Sequence, residues 1–74
     1  MKVQVLWFAE CRERRGVPSE TVEIDEPVTI ADLYGSLLPN GPVVAFSQNQ
    51  TLVPPDTIVQ DGDELVFLPP MGGG

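Results

Sequence analysis

The segment Lys2–Ala9 constrains the fold more than any other stretch, because it reads as a strand with two apolar faces. Period-two parity sets Val3, Val5, Trp7 and Ala9 on one side and Gln4, Leu6 and Phe8 on the other. A strand that is bulky and apolar on both sides belongs in the interior of a sheet. The chain has 74 residues, and a domain of that size buries only about 60% of the surface its unfolded chain exposes. With one helix to cover one side of the sheet, the second face stays open unless another protein covers it.

The remaining segments supply that sheet and that helix. Glu10 to Arg15 are good helix formers stopped by Gly16-Val17-Pro18, giving one or two helical turns. Ser19 to Asp25 alternates, with Val22 and Ile24 opposite Thr21, Glu23 and Asp25, and forms a hairpin-like unit with the first strand. Thr29 followed by Asp32 resembles a capping box, and Ile30, Leu33, Tyr34, Leu37 and Leu38 then share one side at helical spacing until Pro39-Asn40-Gly41-Pro42 ends the pattern. Gly35 inside this helix costs roughly 1 kcal/mol relative to alanine, so the helix is marginal or something packs closely there. Val43–Ser47, Thr51–Val53 and Glu64–Leu68 read as three further strands, the last introduced by the turn Asp61-Gly62-Asp63. Pro54 to Gln60 is an irregular connection with room for a helical turn. Two strands, a helix and further short strands make an α+β layer arrangement of four to five strands against one main helix.

Charge and residue usage exclude several function classes. Eleven Asp and Glu against four Lys and Arg give a net charge of −7, which repels phosphate backbones and anionic lipid and suits a basic protein partner. Neither nucleic acid nor a membrane is an expected partner. With no His and one Cys, an intramolecular disulfide is excluded and no metal site is expected. The apolar N-terminal run is too short and too alternating for a signal sequence or a span, so a cytoplasmic location is expected. Cys11 lacks a neighbouring His and reads as an incidental thiol, and Arg12, Arg14 and Arg15 read as a solvated helix face. Asp61 and Asp63 read as turn residues before cation ligands.

The sequence closes on Pro69-Pro70-Met71-Gly72-Gly73-Gly74. The two prolines have fixed φ and no N–H, so they cannot extend a strand ladder and launch the chain outward. The four residues after them reach roughly 13 Å. A backbone without Cβ atoms can thread a narrow channel and present a terminal carboxylate to a remote site. The expected organisation is a domain over 1–70 and a flexible glycine tail over 71–74. A glycine-rich end is also common in loosely ordered termini, and the rigid proline pair beside a strand argues against that plainer reading.

Three stretches together resemble the small, sulfur-carrying subunit of molybdopterin synthase, of the MoaD/ThiS family of ubiquitin-like sulfur carriers. They are Phe8-Ala9-x-x-Arg12-Glu13-x-x-Gly16, then Asn49-Gln50-Thr51-Leu52-Val53 with Asp61-Gly62-Asp63-Glu64, and last Pro69-Pro70-x-x-Gly73-Gly74. Their order and spacing match over essentially the whole chain. The resemblance implies a β-grasp, ubiquitin-like fold. It implies that the Gly74 carboxylate is adenylated by an E1-like enzyme using ATP and converted to a thiocarboxylate with sulfur from a persulfide donor. Gly72, Gly73 and Met71 would thread the active site of the large synthase subunit, where sulfur passes to cyclic pyranopterin monophosphate for molybdenum cofactor biosynthesis. On this reading the chain is a non-catalytic subunit with no catalytic residues and no bound cofactor.

By position, the resemblance places Phe8, Leu52, Leu68, Pro69 and Pro70 against the large subunit. Strand parity independently puts Phe8 opposite Trp7 and Leu68 opposite Leu65 and Phe67, whereas Leu52 rests on the resemblance alone. A carrier for thiamin or another sulfur metabolite, and a ubiquitin-like protein modifier, remain as alternatives.

Overall fold

A computed structural model describes residues 1–70. The expected tail, Met71 to Gly74, lies outside the described residues. Seven elements follow in order: β1 Lys2–Trp7, α1 Ala9–Arg15, β2 Ser19–Glu23, α2 Ile30–Leu37, β3 Ala45–Gln48, β4 Thr51–Val53 and β5 Glu64–Leu68. The five strands form one mixed sheet in the order β2-β1-β5-β3-β4. β1 runs parallel to β5 and antiparallel to β2, while β3 is antiparallel to both β5 and β4. This is the expected β-grasp layout, with α1 as a second short helix beside the main one.

The inward parity of β1 is as the sequence requires: Val3, Val5 and Trp7 are buried, and Leu65 and Phe67 of the neighbouring β5 join them. Ile30, Leu33, Tyr34 and Leu38 cover this face from α2. Phe67 is the hub, its ring centroid 4.9 Å from that of Tyr34 and 5.2 Å from that of Trp7. Full burial of one such aromatic is worth about 2–3 kcal/mol.

Ala9 departs from the expected strand. It opens α1 with φ of +50°, because the chain must turn sharply to lay α1 over the sheet's end and bury Cys11. Gly16 stops α1 at φ +86°, a left-handed conformation that glycine adopts without a Cβ penalty. The third strand begins at Ala45 and not at Val43, which is 87% exposed. No helical turn forms between Pro54 and Gln60; a turn closed by Thr57 N–H on the Pro54 carbonyl and a single bridge from Ile58 to Thr29 take its place.

At the start of α2 the Thr29 hydroxyl accepts from the Asp32 N–H at 3.1 Å, as the capping signal requires. At its end Arg15 of α1 donates to the Leu37 carbonyl and Arg14 to the Asn40 carbonyl, placing cations where the helix dipole is negative. Arg15 also forms a two-pronged pair with Glu20 at 2.6 and 2.8 Å, and Glu20 accepts from the Trp7 indole. These contacts correct the expectation of a merely solvated helix face. Arg14 and Arg15 fasten α1 to β2 and α2, because α1 packs beside the end of α2 and helical spacing within α1 does not show that.

Nothing packs closely on Gly35; a Cβ there would meet open space. The close approach lies at Gly41, where a Cβ would sit 2.5 Å from the Tyr34 hydroxyl. That hydroxyl donates to the Pro42 carbonyl at 2.6 Å and so pins the loop after α2. Burial in the core pushes the Tyr34 pKa up, with the Cys11 thiol 3.7 Å away a further cause. Gly35→Ala is therefore expected to stabilise the domain by about 0.5–1 kcal/mol, read as a higher urea midpoint with an unchanged slope.

Candidate functional site

The face of the sheet away from α2 is built by strand register. Leu6 of β1 stands beside Val66 of β5, Val66 beside Ser47 of β3, and Ser47 beside Leu52 of β4. The next row on the same face pairs Leu68 with Ala45. Phe8, one residue beyond β1, lies at the same end. Of the five residues expected at a partner surface, Phe8, Leu52 and Leu68 are exposed, at 47%, 68% and 38%, as is Pro70, while Pro69 is half-buried. Side chains one position away in β1 and β5, Trp7 and Phe67, are fully buried. A two-residue period has thus divided each strand between core and open face.

β5 is the middle strand of the five. Leu68 is its last residue and leads into Pro69, half-buried, and Pro70, exposed. The chain therefore leaves the domain from the centre of the sheet, at the edge of the apolar patch formed by Phe8, Leu52 and Leu68. Residue 9, next to Phe8, carries the left-handed φ noted above. A non-glycine residue in that region costs roughly 1–2 kcal/mol, and the surrounding packing must hold it. The Phe8 side chain does no capping work for α1, although Phe8 occupies the N-cap position. Gly72, Gly73, Gly74 and Met71 lie outside the described residues.

At the other end of β5 sits a polar cluster that sequence reasoning did not single out. The Asp63 side chain is buried, at 6% exposure. One carboxylate oxygen accepts from the Gln60 N–H and from Gln48 Nε2, both at 2.7 Å, and the other accepts from Asn49 Nδ2 at 2.9 Å. Asn49 also accepts from the Glu64 N–H through its side-chain oxygen and donates its own N–H to the Glu64 carbonyl. These bonds hold the two-residue turn Asn49-Gln50, with φ of +52° and +70°, between β3 and β4. Burial alone would raise the Asp63 pKa, but the Gln60, Asn49 and Gln48 donors outweigh it and hold the carboxyl below its ordinary value. The signal available in sequence was the pairing of Asn49-Gln50 with Asp61-Gly62-Asp63 as two halves of one motif.

Neither a nucleophile nor a metal centre emerges among the described residues. Cys11 is fully buried against Tyr34, which fits an incidental thiol. No group of three or more potential metal ligands occurs there. The Asp61 side chain accepts from the Lys2 N–H at 2.8 Å, so this turn is spent on main-chain support. No helix among the described residues is long and apolar enough to cross a membrane.

Known proteins share this fold. A family model described as ThiS family matches residues 5–74. The molybdopterin synthase sulfur carrier subunit of Escherichia coli is 37% identical, over 97% of this chain and 99% of that protein. The solved structure of a putative molybdopterin converting factor, subunit 1, from Pyrococcus furiosus superposes with a TM-score of 0.82 at 26% identity, covering 96% of this chain and 99% of that one. A protein–protein complex of subunits 1 and 2 of molybdopterin-converting factor from Helicobacter pylori contains a chain of the same fold, with a TM-score of 0.65 at 23% identity and full coverage of both chains.

Proposed function

The chain belongs to the ThiS family, and from that premise we propose that it is the sulfur carrier subunit of a molybdopterin synthase, with the Gly74 carboxylate as the sulfur-bearing group. The observation that carries this reading is the exit of the chain from the central strand β5, past Pro69 and Pro70, beside an exposed apolar patch. A partner seated on that patch would receive the tail along a fixed direction. Met71, Gly72 and Gly73 would then thread its active site.

A carboxylate is a poor electrophile until one oxygen becomes part of a leaving group. In the proposed cycle an E1-like partner transfers AMP from ATP to the Gly74 carboxylate, releasing pyrophosphate. Sulfur from a persulfide protein displaces AMP, and attack of a second partner thiol on the resulting acyl disulfide leaves a thiocarboxylate and a disulfide on the partner. The large subunit then accepts the carrier, and its active site passes the sulfur to cyclic pyranopterin monophosphate while water supplies the oxygen that returns the tail to a carboxylate. The chain supplies the handle and its partners supply the catalysis. No cofactor is bound by the carrier itself.

The test is intact mass after incubation with ATP, an activating enzyme and a sulfur source. Exchange of one carboxylate oxygen for sulfur adds about 16 mass units, and the proposal expects that species in the full chain and its loss when Gly74 is deleted. Absence of the species in the full chain overturns the carrier reading. Formation of the species without product from a large synthase subunit assigns the carrier to thiamin or another sulfur metabolite. Isopeptide conjugates in cells would instead reveal a protein modifier.

A further inference from the structure

On the helix side of the sheet, away from the open face, a groove of about 420 Å³ runs between β2 and α2. Its apolar wall is made by Val22, Leu33 and Leu37, and its rim by Glu23, Asp25 and Glu26. β2 is an outer strand of the sheet. Ile24 exchanges both main-chain hydrogen bonds with Met1, and the Pro18 carbonyl accepts from the Trp7 N–H. In an antiparallel ladder the inward residues alternate, so Val22 and Glu20 also face β1 while Thr21 and Glu23 turn their N–H and C=O groups outward. No hydrogen bond among the described residues reaches these outward groups. The other outer strand, β4, has three residues and runs into Pro54-Pro55, which blocks growth of the sheet there. β2 is followed by no proline until Pro27.

We propose that the β2 edge and its groove accept an extended segment of a partner protein, basic and apolar at alternate positions, which adds a sixth strand to the sheet. Its apolar side chains enter the groove against Val22 and Leu37, and its cations meet Glu23, Asp25 and Glu26. Charge selects this occupant. A second copy of the chain would bring the same acidic rim edge to edge with itself, and like charges directly opposed disfavour pairing. The cationic side chain near the rim, Lys2, lies 4.0 Å from Glu23 with both side chains largely exposed, a weak pair that a ligand can displace. The groove lies on the helix side of the sheet, and Glu23 pairs with Lys2 at the end of β1 remote from Phe8, so the site leaves the proposed carrier surface free.

The probe is an acetylated and amidated heptapeptide alternating lysine with valine, titrated into the full chain and followed by backbone amide NMR. Saturable shifts centred on Thr21, Glu23 and Leu37 are expected, and the same peptide with glutamate in place of lysine should cause none. Thr21→Pro removes an N–H that the internal ladder does not use, at an edge position that tolerates proline. It should weaken binding about tenfold through the lost main-chain bond and the blocked approach. Leu37→Glu, at a half-exposed groove position, gives an independent second variant with the same expected direction. Deleting Gly74 should change nothing, which separates this result from the fate of the carrier reading. Absence of saturable shifts, equal binding of the glutamate peptide, shifts centred on Leu6, Leu52 and Val66, or full affinity in both folded variants would each overturn the proposal.

Discussion

Asp63→Ala is expected to destabilise the domain by about 3 kcal/mol, because it removes the one buried carboxylate on which three donors now converge. Hydrogen bonds to a charged acceptor are worth about 1.5–3 kcal/mol, and of the three donors Gln48 Nε2 alone keeps a second acceptor, the Ile58 carbonyl. A domain of this length has a total stability of only about 4–11 kcal/mol. The loss is thus a large share of the whole, and it should appear as an urea midpoint lowered without a change in slope. Asp63→Asn should recover part of it, since the amide oxygen still accepts but the amide nitrogen faces a donor. If Asp63→Ala unfolds at the same midpoint as the parent, the cluster is decoration on a turn that Gly62 already secures.

The same carboxylate gives the stability a pH dependence with a defined sign. The Asp63 pKa is lowered in the folded state, as is that of Glu20 through its hydrogen bond from Arg15. A depressed carboxyl contributes stability that is complete above its unfolded pKa, about 3.9 for Asp and 4.3 for Glu, and is lost as pH falls through the folded value. The midpoint should therefore hold steady between neutral pH and about 5 and then drop below about 4. In Asp63→Asn the acid drop should be shallower, with the remaining slope due to Glu20.

The contrast between Asp63 and Phe8 explains how much of this protein was legible in its sequence. Each strand's division between core and open face follows from a local period of two, so Trp7 and Phe8, or Phe67 and Leu68, could be assigned from their neighbours alone. The α2 face followed likewise from a period of 3.6 and a capping threonine. The Asp63 cluster joins Gln48, Asn49 and Gln60, whose meeting depends on how β3 pairs with β5, and no local period encodes that. Arg14 and Arg15 belong to the same class, since their acceptors at Asn40, Leu37 and Glu20 come together only when α1 folds over the sheet's end. Alternation carries Ala9 into the strand because it has no means of registering a single left-handed φ. The candidate site was legible for the converse reason: the open face of a sheet covered on one side and a proline-directed exit are both properties of short segments.

Phe8→Asp is expected to abolish docking of a large synthase subunit while leaving the domain as stable as before, or slightly more so. Phe8 is about half exposed and occupies the N-cap of α1, with extended dihedrals of φ −132° and ψ 153° and no side-chain cap. Aspartate is among the best N-cap residues in that geometry, so the substitution removes an aromatic from the surface and offers α1 a cap worth about 1 kcal/mol. Binding should suffer in the opposite sense. An aromatic at the heart of an interface commonly carries 2 kcal/mol or more, a roughly 30-fold loss on truncation, and a buried unpaired carboxylate adds to it. Leu52→Asp, on a residue 68% exposed at the far side of the same face, should act in the same direction through a different contact. The measurements are the thermal midpoint of each variant and its affinity for the large subunit by calorimetry. Loss of folding in Phe8→Asp would move Phe8 into the core. Unchanged affinity in both folded variants would move the docking surface off the open sheet face and leave the exit at Pro69 and Pro70 without a partner beside it.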